Sequence, residues 1–293
     1  MVRLWLFLVV CSVCSLAAEV ETIVLPARGD ILRAEVLVWR AGNSDGGLEE
    51  KATERLGRRS LPGYRGVLVF CPGQNGSSEG ALRSKVWQDF AEREGLALVG
   101  FRFVSADEDL KNGKGYFVAS RGAGELLEAG LRKAGLGGVP LFLYGFSGGA
   151  HFAMSFAAWR PEHVTGFCAY SFAWWSPPPE KLQCPALIVC GQADGVRYGS
   201  TLSYFQAGRK QGKPWAWVSL KETAHATSAE LDGFVREYFS SVMNSREGKQ
   251  LESASILADN TTEKVVKERT DDVSSSVLPC ADLWPKWREI HHP

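Results

Sequence analysis

The sequence has no excess of charge of either sign. Its 293 residues include 33 lysines and arginines and 33 aspartates and glutamates. Proteins that bind nucleic acid or an anionic membrane through their electrostatic field carry an excess of basic residues. We therefore expect neither partner, and we expect a small or neutral substrate.

The sequence also lacks the cysteine and histidine spacing of a metal site. Of its seven cysteines, two lie in the first 18 residues, and the others are Cys71, Cys168, Cys184, Cys190 and Cys280. Without the first 18 residues, five cysteines remain. In an oxidising compartment this odd number leaves at least one thiol unpaired or paired outside the chain. Cys71 and Cys190 end apolar runs and are interpreted as buried thiols. The sequence does not decide whether Cys168 and Cys184 form a disulfide.

The apolar run at the start of the chain is too short to span a bilayer comfortably. Residues 1–3 form a short basic start, residues 4–10 are apolar, and residues 15–18 include small side chains. This layout is typical of a secretory signal peptide. We expect a signal peptide over residues 1–18, cleavage near Ala17 or Ala18, and a secreted, periplasmic or extracellular mature chain. An uncleaved anchor is the alternative.

Short apolar runs alternate with helical segments between residues 66 and 239. The runs cover residues 66–70, 96–101, 139–144, 164–170, 186–190 and 215–220, and the helical segments cover residues 81–93, 116–134, 150–160, 202–209 and 228–239. This alternation predicts an α/β fold with a mostly parallel central sheet and helices on both faces. Residues 22–25 and 31–39 predict a hairpin on one sheet edge. Ligands of such sheets bind at the carboxyl ends of the strands.

Composition divides the rest of the chain into a domain and a tail. Residues 19–240 predict one domain, and residues 241–277, rich in Ser, Thr, Glu, Lys and Asp, predict a flexible polar tail. Residues 278–293 regain apolar side chains at helical spacing, which would let this short segment dock on the domain. Asn75 and Asn260 stand in formal glycosylation sequons.

The stretch that organises the chain is Gly145-Phe146-Ser147-Gly148-Gly149. It follows an apolar run and precedes a helical segment, which is the context of a nucleophile elbow. Small neighbours let a serine stand exposed on a strained turn. The alternative is a glycine-rich turn that happens to contain a serine.

A serine hydroxyl needs a base to take its proton and an acid to orient that base. In the elbow arrangement the acid and then the histidine follow the serine. Asp194 follows the run 186–190, and His225 follows the run 215–220. All three residues therefore fall at carboxyl ends of predicted strands. Glu222 is the reserve acid, and His151, on the elbow helix, is expected to pack or point away.

Two backbone amides are expected to hold the negative charge that develops on the substrate carbonyl oxygen. One is the amide of Gly148, directly after the serine. The other is the amide of Gln74, in the loop Cys71-Pro72-Gly73-Gln74 after the run 66–70. The alternative for this loop is an ordinary Pro-Gly turn.

These motifs resemble the α/β-hydrolase superfamily over residues 66–239. The sequences around Gln74 and Ser147 resemble secreted esterases related to polyester depolymerases, cutinases and dienelactone hydrolases. The resemblance implies a Ser147, Asp194 and His225 triad, an oxyanion hole of Gln74 and Gly148, and hydrolysis through an acyl-enzyme without a cofactor. The chain departs from the polyester depolymerases because it has no paired-cysteine framework and no substrate-binding domain.

The connection between residues 170 and 186 is about 15 residues long, too short for a large lid domain. It holds Trp174 and Trp175 and then three prolines. With Phe146, these tryptophans are candidate substrate-binding residues, since an aromatic wall binds an acyl chain or stacks on a ring. The alternative is that the aromatic side chains pack in the core.

The expected activity is hydrolysis of carboxylic esters by a secreted serine esterase, with a small-molecule or polymeric ester as substrate. A serine peptidase of the same fold is one alternative, because the triad does not choose between ester and amide. We expect no extra propeller or cap domain in a chain of this length, which disfavours the peptidase. A non-catalytic protein that binds a ligand or partner is the other alternative.

Overall fold

The computed structural model describes residues 19–41, 63–173, 177–246, 254–257, 265–266 and 275–292. The main strands are β1 (Glu21–Leu25), β2 (Arg33–Trp39), β3 (Gly66–Cys71), β4 (Leu96–Val104), β5 (Leu141–Phe146), β6 (Val164–Tyr170), β7 (Ala186–Gly191) and β8 (Trp215–Leu220). The helices are α1 (Glu79–Arg83), α2 (Lys85–Glu94), α3 (Asp107–Lys111), α4 (Ala123–Lys133), α5 (Gly148–Trp159), α6 (Val196–Lys210), α7 (Ala229–Arg246) and α8 (Trp284–Ile290). Three short strands, β9 (Ala254–Leu257), β10 (Val265–Val266) and β11 (Ser275–Leu278), form a second sheet.

The main sheet has the strand order β1-β2-β4-β3-β5-β6-β7-β8. Strand β2 is antiparallel to both of its neighbours, and every pairing from β4 to β8 is parallel. This confirms the prediction of a mostly parallel sheet with a hairpin on one edge. The hairpin turn is closed by reciprocal backbone hydrogen bonds between Arg28 and Ile31, at 3.2 and 3.0 Å.

Helices cover both faces of the sheet, which explains why every residue of strands β3, β6 and β7 is buried and most of them are apolar. Successive side chains of a strand point to opposite faces. On β3, Val67 and Val69 belong to the core on the face covered by α4, α5 and α6, whereas Leu68 and Phe70 belong to the core on the face covered by α2 and α7. All six residues of β3 are buried.

Four helical segments differ from the sequence-based expectation, among them the segment 202–209, whose helix α6 already begins at Val196. The segment 81–93 is two helices, because Ser84 is extended (ψ 116°) and separates α1 from α2. The segment 116–134 becomes an α-helix only at Ala123, after Gly122 adopts a φ of 110°. Helix α7 runs through the expected boundary at residue 240 to Arg246, since Val242 and Met243 are buried against the sheet.

The C-terminal segment packs against edge strand β8. The amide of Trp217 donates to Ser276 Oγ (2.9 Å), and Trp287 Nε1 donates to the carbonyl of Trp217 (2.7 Å). The amide of Ser219 donates to His291 Nδ1 (3.1 Å). An unprotected edge strand is prone to pair with other chains, and this segment occupies the backbone groups of β8. Residues 254–257, 265–266 and 275–278, within the expected polar tail, are strands.

None of the five cysteines among the described residues forms a disulfide, and four of them are buried. Cys168 and Cys184, whose pairing the sequence left undecided, do not form a disulfide. Cys168 pairs with Leu187 across strands β6 and β7. Cys184 lies three residues before Leu187, roughly 10 Å along an extended chain, which is farther than a disulfide reaches.

None of the helices in the described part of the chain combines the length and the apolar character needed to cross a membrane. The expected signal peptide over residues 1–18 lies outside the described residues.

Candidate active site

Ser147 stands on a strained turn between β5 and α5. Its backbone has φ 56° and ψ −122°, a conformation that side-chain-bearing residues rarely adopt. A Cβ added to Gly145 would overlap the carbonyl of Gly149, and one added to Gly149 would overlap the carbonyl of Cys71. The glycines of the motif are therefore required by close backbone packing.

Ser147, His225 and Asp194 form a chain of hydrogen bonds. Ser147 Oγ lies 2.9 Å from His225 Nε2, and His225 Nδ1 lies 2.9 Å from Asp194 Oδ2. The Asp194 side chain is 1% exposed and the His225 side chain is 32% exposed. Because a carboxylate only accepts, Nδ1 carries the proton and Nε2 is free to accept the serine proton. The three residues chosen from the sequence thus meet in the geometry that activates a serine.

The loops that carry the acid and the base are tied to each other. Asp194 follows β7, and its Oδ1 also lies 3.4 Å from Arg197 Nη1. The amide of Ala193 donates to the carbonyl of Thr223 in the loop after β8 (2.9 Å). A Cβ at Gly191 would overlap that same carbonyl. This close approach fixes the distance between Asp194 and the loop of His225.

Phe146, expected to contact substrate, supports the catalytic histidine candidate. Its ring centroid lies 4.7 Å from that of His225, with the planes 31° apart. Phe146 also packs against Tyr170, with the ring centroids 5.1 Å apart. The Tyr170 hydroxyl donates to the carbonyl of Ala226. The imidazole is thus held by ring packing as well as by Asp194.

The loop of Gln74 lies close to Gly148 and Ser147 at the start of helix α5. A Cβ placed on Gly148 would lie 3.2 Å from the Gln74 nitrogen, and one on Gly73 would lie 4.0 Å from Ser147 Cβ. Gly148 begins helix α5, and the first amides of a helix have no acceptor within the helix. The two predicted donors therefore lie in neighbouring stretches of backbone, and their joint action on one oxygen atom stays a prediction.

The loop of Gln74 is held by contacts that the sequence did not reveal. Asn75, at φ 50°, donates from Nδ2 to the carbonyl of Ser105 (3.1 Å) and accepts from the Ser105 amide at Oδ1 (3.0 Å). The buried Tyr116 hydroxyl donates to the carbonyl of Pro72 (3.1 Å), and burial raises the pKa of Tyr116 so that this donor stays protonated. The side-chain amide of the Asn75 sequon is thus engaged inside the protein.

The other sequence-based candidates take no part in this chain of hydrogen bonds or lie outside the described residues. Trp174 and Trp175 lie outside them. His151 packs against Phe172 and Phe117, and its pKa is lowered to about 4, by burial first and then by the charge of Arg197. Glu222 is exposed, and its amide donates to Gln192 Oε1 (3.3 Å). Within the described ranges no group of three or more His, Cys, Asp or Glu side chains is arranged to hold a metal ion.

No protein-family model matches the sequence, and no curated protein matches it. Solved structures match it in three dimensions. A candidate dipeptidyl aminopeptidase IV from Bacteroides ovatus aligns with a TM-score of 0.55 at 12% identity, over 78% of this chain and 36% of that one. A ferulic acid esterase from the anaerobic fungus Anaeromyces mucronatus aligns with a TM-score of 0.54 at 14% identity, over 75% and 88%. The fluorophosphonate-binding serine hydrolase F of Staphylococcus aureus aligns with a TM-score of 0.51 at 12% identity, over 78% and 99%.

The chain has the α/β-hydrolase fold. It spans about a third of the length of the aminopeptidase-like protein and most of the length of the two others. In this fold the connection between β6 and β7, residues 171–185, is too short to be a large lid domain, as the sequence predicted. At these identities the similarity concerns the fold.

Proposed function

We propose that this protein is a serine hydrolase that cleaves carboxylic esters through an acyl-enzyme intermediate. Ser147 is the nucleophile, His225 the general base and Asp194 the acid that orients it. The observation that carries the proposal is the hydrogen-bonded chain from Ser147 to Asp194, with both separations at 2.9 Å, beside two backbone amides. Names of structural neighbours, an esterase and a serine hydrolase among them, support hydrolysis as the reaction class.

In the first half of the reaction, His225 Nε2 takes the proton of Ser147 Oγ while Oγ bonds to the ester carbonyl carbon. The carbonyl oxygen becomes negative and accepts hydrogen bonds from the amides of Gln74 and Gly148. His225 then gives the proton to the alcohol oxygen, the carbon–oxygen bond breaks, and the acyl group stays on Ser147. Asp194 stabilises the imidazolium and holds its tautomer throughout.

In the second half, water replaces the alcohol. His225 takes a proton from the water as its oxygen attacks the acyl carbon, and the same two amides hold the oxyanion. The proton returns to Ser147 Oγ as the acid leaves. No step in this sequence requires a cofactor.

Secretion is part of the proposal and rests on residues 1–18. A processed chain should begin near Glu19, and amino-terminal sequencing of the exported protein tests this. Four of the five cysteines in the described mature chain are buried, which shields them from oxidants outside the cell.

A serine peptidase is the second candidate, because one structural neighbour is a candidate dipeptidyl aminopeptidase IV. The same triad and amide donors would serve an amide carbonyl. The two candidates differ in the leaving group that the site accepts.

The experiment is hydrolysis of p-nitrophenyl acetate, butyrate and octanoate by the mature chain, beside dipeptidyl p-nitroanilides. Ser147→Ala removes the nucleophile, and Ser203→Ala, at an exposed serine of α6, is the matched control. We expect ester hydrolysis that Ser147→Ala abolishes and Ser203→Ala leaves intact. Hydrolysis of the anilides alone would establish the peptidase, and no turnover of either class would contradict both candidates.

A further inference from the structure

A cavity of about 400 Å³ opens beside Ser147, between the loop of Gln74 and helices α1, α2 and α7. Its lining includes Pro72, Gly73, Trp87, Tyr144, Phe146 and Asp232. A Cβ on Gly73 would lie 4.0 Å from Ser147 Cβ, so one wall borders the nucleophile. The volume falls in the range of sites for small ligands.

The walls of this cavity are aromatic and well supported. Trp87 makes an edge contact with Phe70, with ring centroids 4.9 Å apart, and lies 5.8 Å from the Tyr144 ring. The Arg236 guanidinium stacks on Trp87 at 4.9 Å. These rings offer face and edge contacts to a flat group. The lining also has polar side chains that can meet a polar substituent, namely Ser77, Ser78, Ser84, Thr227 and Asp232.

Asp232 supplies one acceptor to this cavity. Its Oδ1 accepts a hydrogen bond from the Tyr144 hydroxyl (2.7 Å), and no donor among the described residues lies within hydrogen-bond distance of Oδ2. Burial raises the pKa of Asp232, while the hydrogen bond from Tyr144 and the charge of Arg236 oppose that rise. A partly desolvated carboxylate oxygen gains from a ligand that donates to it.

The donor that suits Asp232 is neutral. Arg236 already places a positive charge close enough to act on the Asp232 carboxyl. An ammonium group in the cavity would be repelled by that guanidinium, whereas a hydroxyl group donates without adding charge. A hydroxyl on a ring satisfies both the aromatic walls and the acceptor.

The position of the cavity identifies the part of the substrate that it receives. His225 Nε2 must reach the alcohol oxygen to protonate it as it leaves. Phe146, which packs against the His225 ring, and Thr227, two residues after His225, both line the cavity. The cavity is therefore on the leaving-group side of Ser147.

We propose that this cavity binds the alcohol part of the ester, and that Asp232 selects alcohols with an aromatic ring bearing a hydroxyl group. This inference rests on the proposed esterase function and specifies its substrate class. Asp232 acts as a specificity-determining residue, with Tyr144 fixing the orientation of its carboxylate.

The test compares three acetate esters that differ only at the far end of the alcohol. They are 2-(4-hydroxyphenyl)ethyl, 2-(4-methoxyphenyl)ethyl and 2-phenylethyl acetate, assayed by acetate release. The two-carbon linker keeps the reactivity of the ester bond nearly the same in all three. We expect kcat/KM for the hydroxyl compound to exceed those of the other two by about tenfold or more, as a hydrogen bond to a carboxylate predicts.

Asp232→Asn is expected to shift the substrate preference from the hydroxyl to the methoxy compound. Tyr144 donates to the amide oxygen, which leaves the NH2 group in the place of Oδ2. A donor then faces the ring substituent and favours methoxy as an acceptor. We expect the hydroxyl-to-methoxy ratio of kcat/KM to fall about tenfold, with the thermal unfolding temperature nearly unchanged because the bond to Tyr144 remains.

Asp89→Asn is the matched control, because it removes one negative charge from the exposed surface of α2. It should leave the hydroxyl-to-methoxy ratio at the wild-type value. Equal kcat/KM for the hydroxyl and unsubstituted esters would overturn the inference, as would a preference that Asp232→Asn does not change. Hydrolysis of all three esters at one rate leaves the esterase proposal intact, whereas no hydrolysis of these esters or of p-nitrophenyl acetate contradicts the esterase itself.

Discussion

The two ends of the central sheet differ in which residues adopt a positive φ: among the described residues, glycines do so at both ends, Gly195 after β7 included, whereas residues with side chains do so only at the carboxyl end. Among the described residues, the non-glycine residues with positive φ all follow a strand at its carboxyl end, and they are Asn75, Ser147, Ser171 and Glu222. At the opposite end, positive φ falls on glycines that follow helices α2, α4 and α6, namely Gly95, Gly135 and Gly212. Glycine adopts this conformation without strain, whereas other residues pay about 1–3 kcal/mol.

The difference shows where side chains are needed. At the carboxyl end, Ser147 forms a hydrogen bond with His225, and Asn75 forms two hydrogen bonds with the backbone of Ser105. A glycine at either position would relieve the strain but would remove these contacts. At the opposite end the turns only reverse the chain, so glycine suffices. Strain at the carboxyl end therefore accompanies the proposed chemistry.

The largest effect is expected when Asp194, the buried acid at the carboxyl end of the sheet, is changed. Asp194→Asn keeps the shape of the side chain but favours the wrong tautomer of His225. We expect kcat for p-nitrophenyl butyrate to fall by about 10⁴-fold, with the fold intact by circular dichroism. Glu222→Gln, at the exposed reserve acid, should leave kcat within about twofold. A comparable loss in Glu222→Gln, or none in Asp194→Asn, would show that the acid has been assigned to the wrong residue.

A second variant separates strain from contact in the loop of Gln74. Asn75→Gly relieves the positive φ but removes both hydrogen bonds to Ser105, so the Gln74 amide loses its fixed position. We expect kcat to fall roughly ten- to a hundredfold. The opposite exchange, Gly212→Asn, is the control, because a Cβ there meets open space and asparagine tolerates this conformation. If Asn75→Gly retained full kcat, the two hydrogen bonds between Asn75 and Ser105 would have no part in positioning the Gln74 amide.

The smallest effect is expected beside β8, where the C-terminal segment docks. Burial, and then the charge of His292, lower the pKa of His291 to about 4. Because an unfolded histidine titrates near 6.5, the neutral form contributes stability that is complete above about pH 6.5 and is lost as the pH falls toward 4. His291→Asn keeps an acceptor for the Ser219 amide but does not titrate. We expect a shallower loss of Tm between pH 6.5 and 4, with kcat at pH 7 unchanged.

Ser203→Ala, at an exposed and non-titrating side chain of α6, is the control for that measurement. Its unfolding temperature should follow the wild-type pH dependence. Identical pH profiles for wild type and His291→Asn would contradict the contribution assigned to the buried ring.

The sheet was predictable because its strands are continuous apolar runs separated by helical segments. Ser147, Asp194 and His225 were identifiable because each directly follows such a run, and parallel strands bring their carboxyl ends to one edge. Their arrangement needed only local sequence and the order of the chain. The three residues meet as those features led us to expect.

The parts that escaped prediction depend on contacts between distant residues. Asn75 bonds to a residue 30 positions away, and in the sequence it is visible only as part of a sequon. Asp232 meets Tyr144 across 88 positions, and on its own it looks like an ordinary acidic residue near the start of a helix. The apolar side chains of residues 278–293 indicated a segment able to dock on the domain, but the packing of Ser275 and Ser276 beside β8 was hidden, because their polar character indicates exposure although both are buried.

The most direct test of the central claim is covalent labelling of the native chain with a fluorophosphonate, followed by intact mass and peptide mapping. The proposed triad predicts one adduct per chain, on the peptide that contains Ser147, and no adduct in Ser147→Ala. It also predicts strongly slowed labelling in Asp194→Asn. A native, folded chain that stays unlabelled, or one that is labelled equally well in Ser147→Ala, would contradict the assignment of Ser147 as an activated nucleophile.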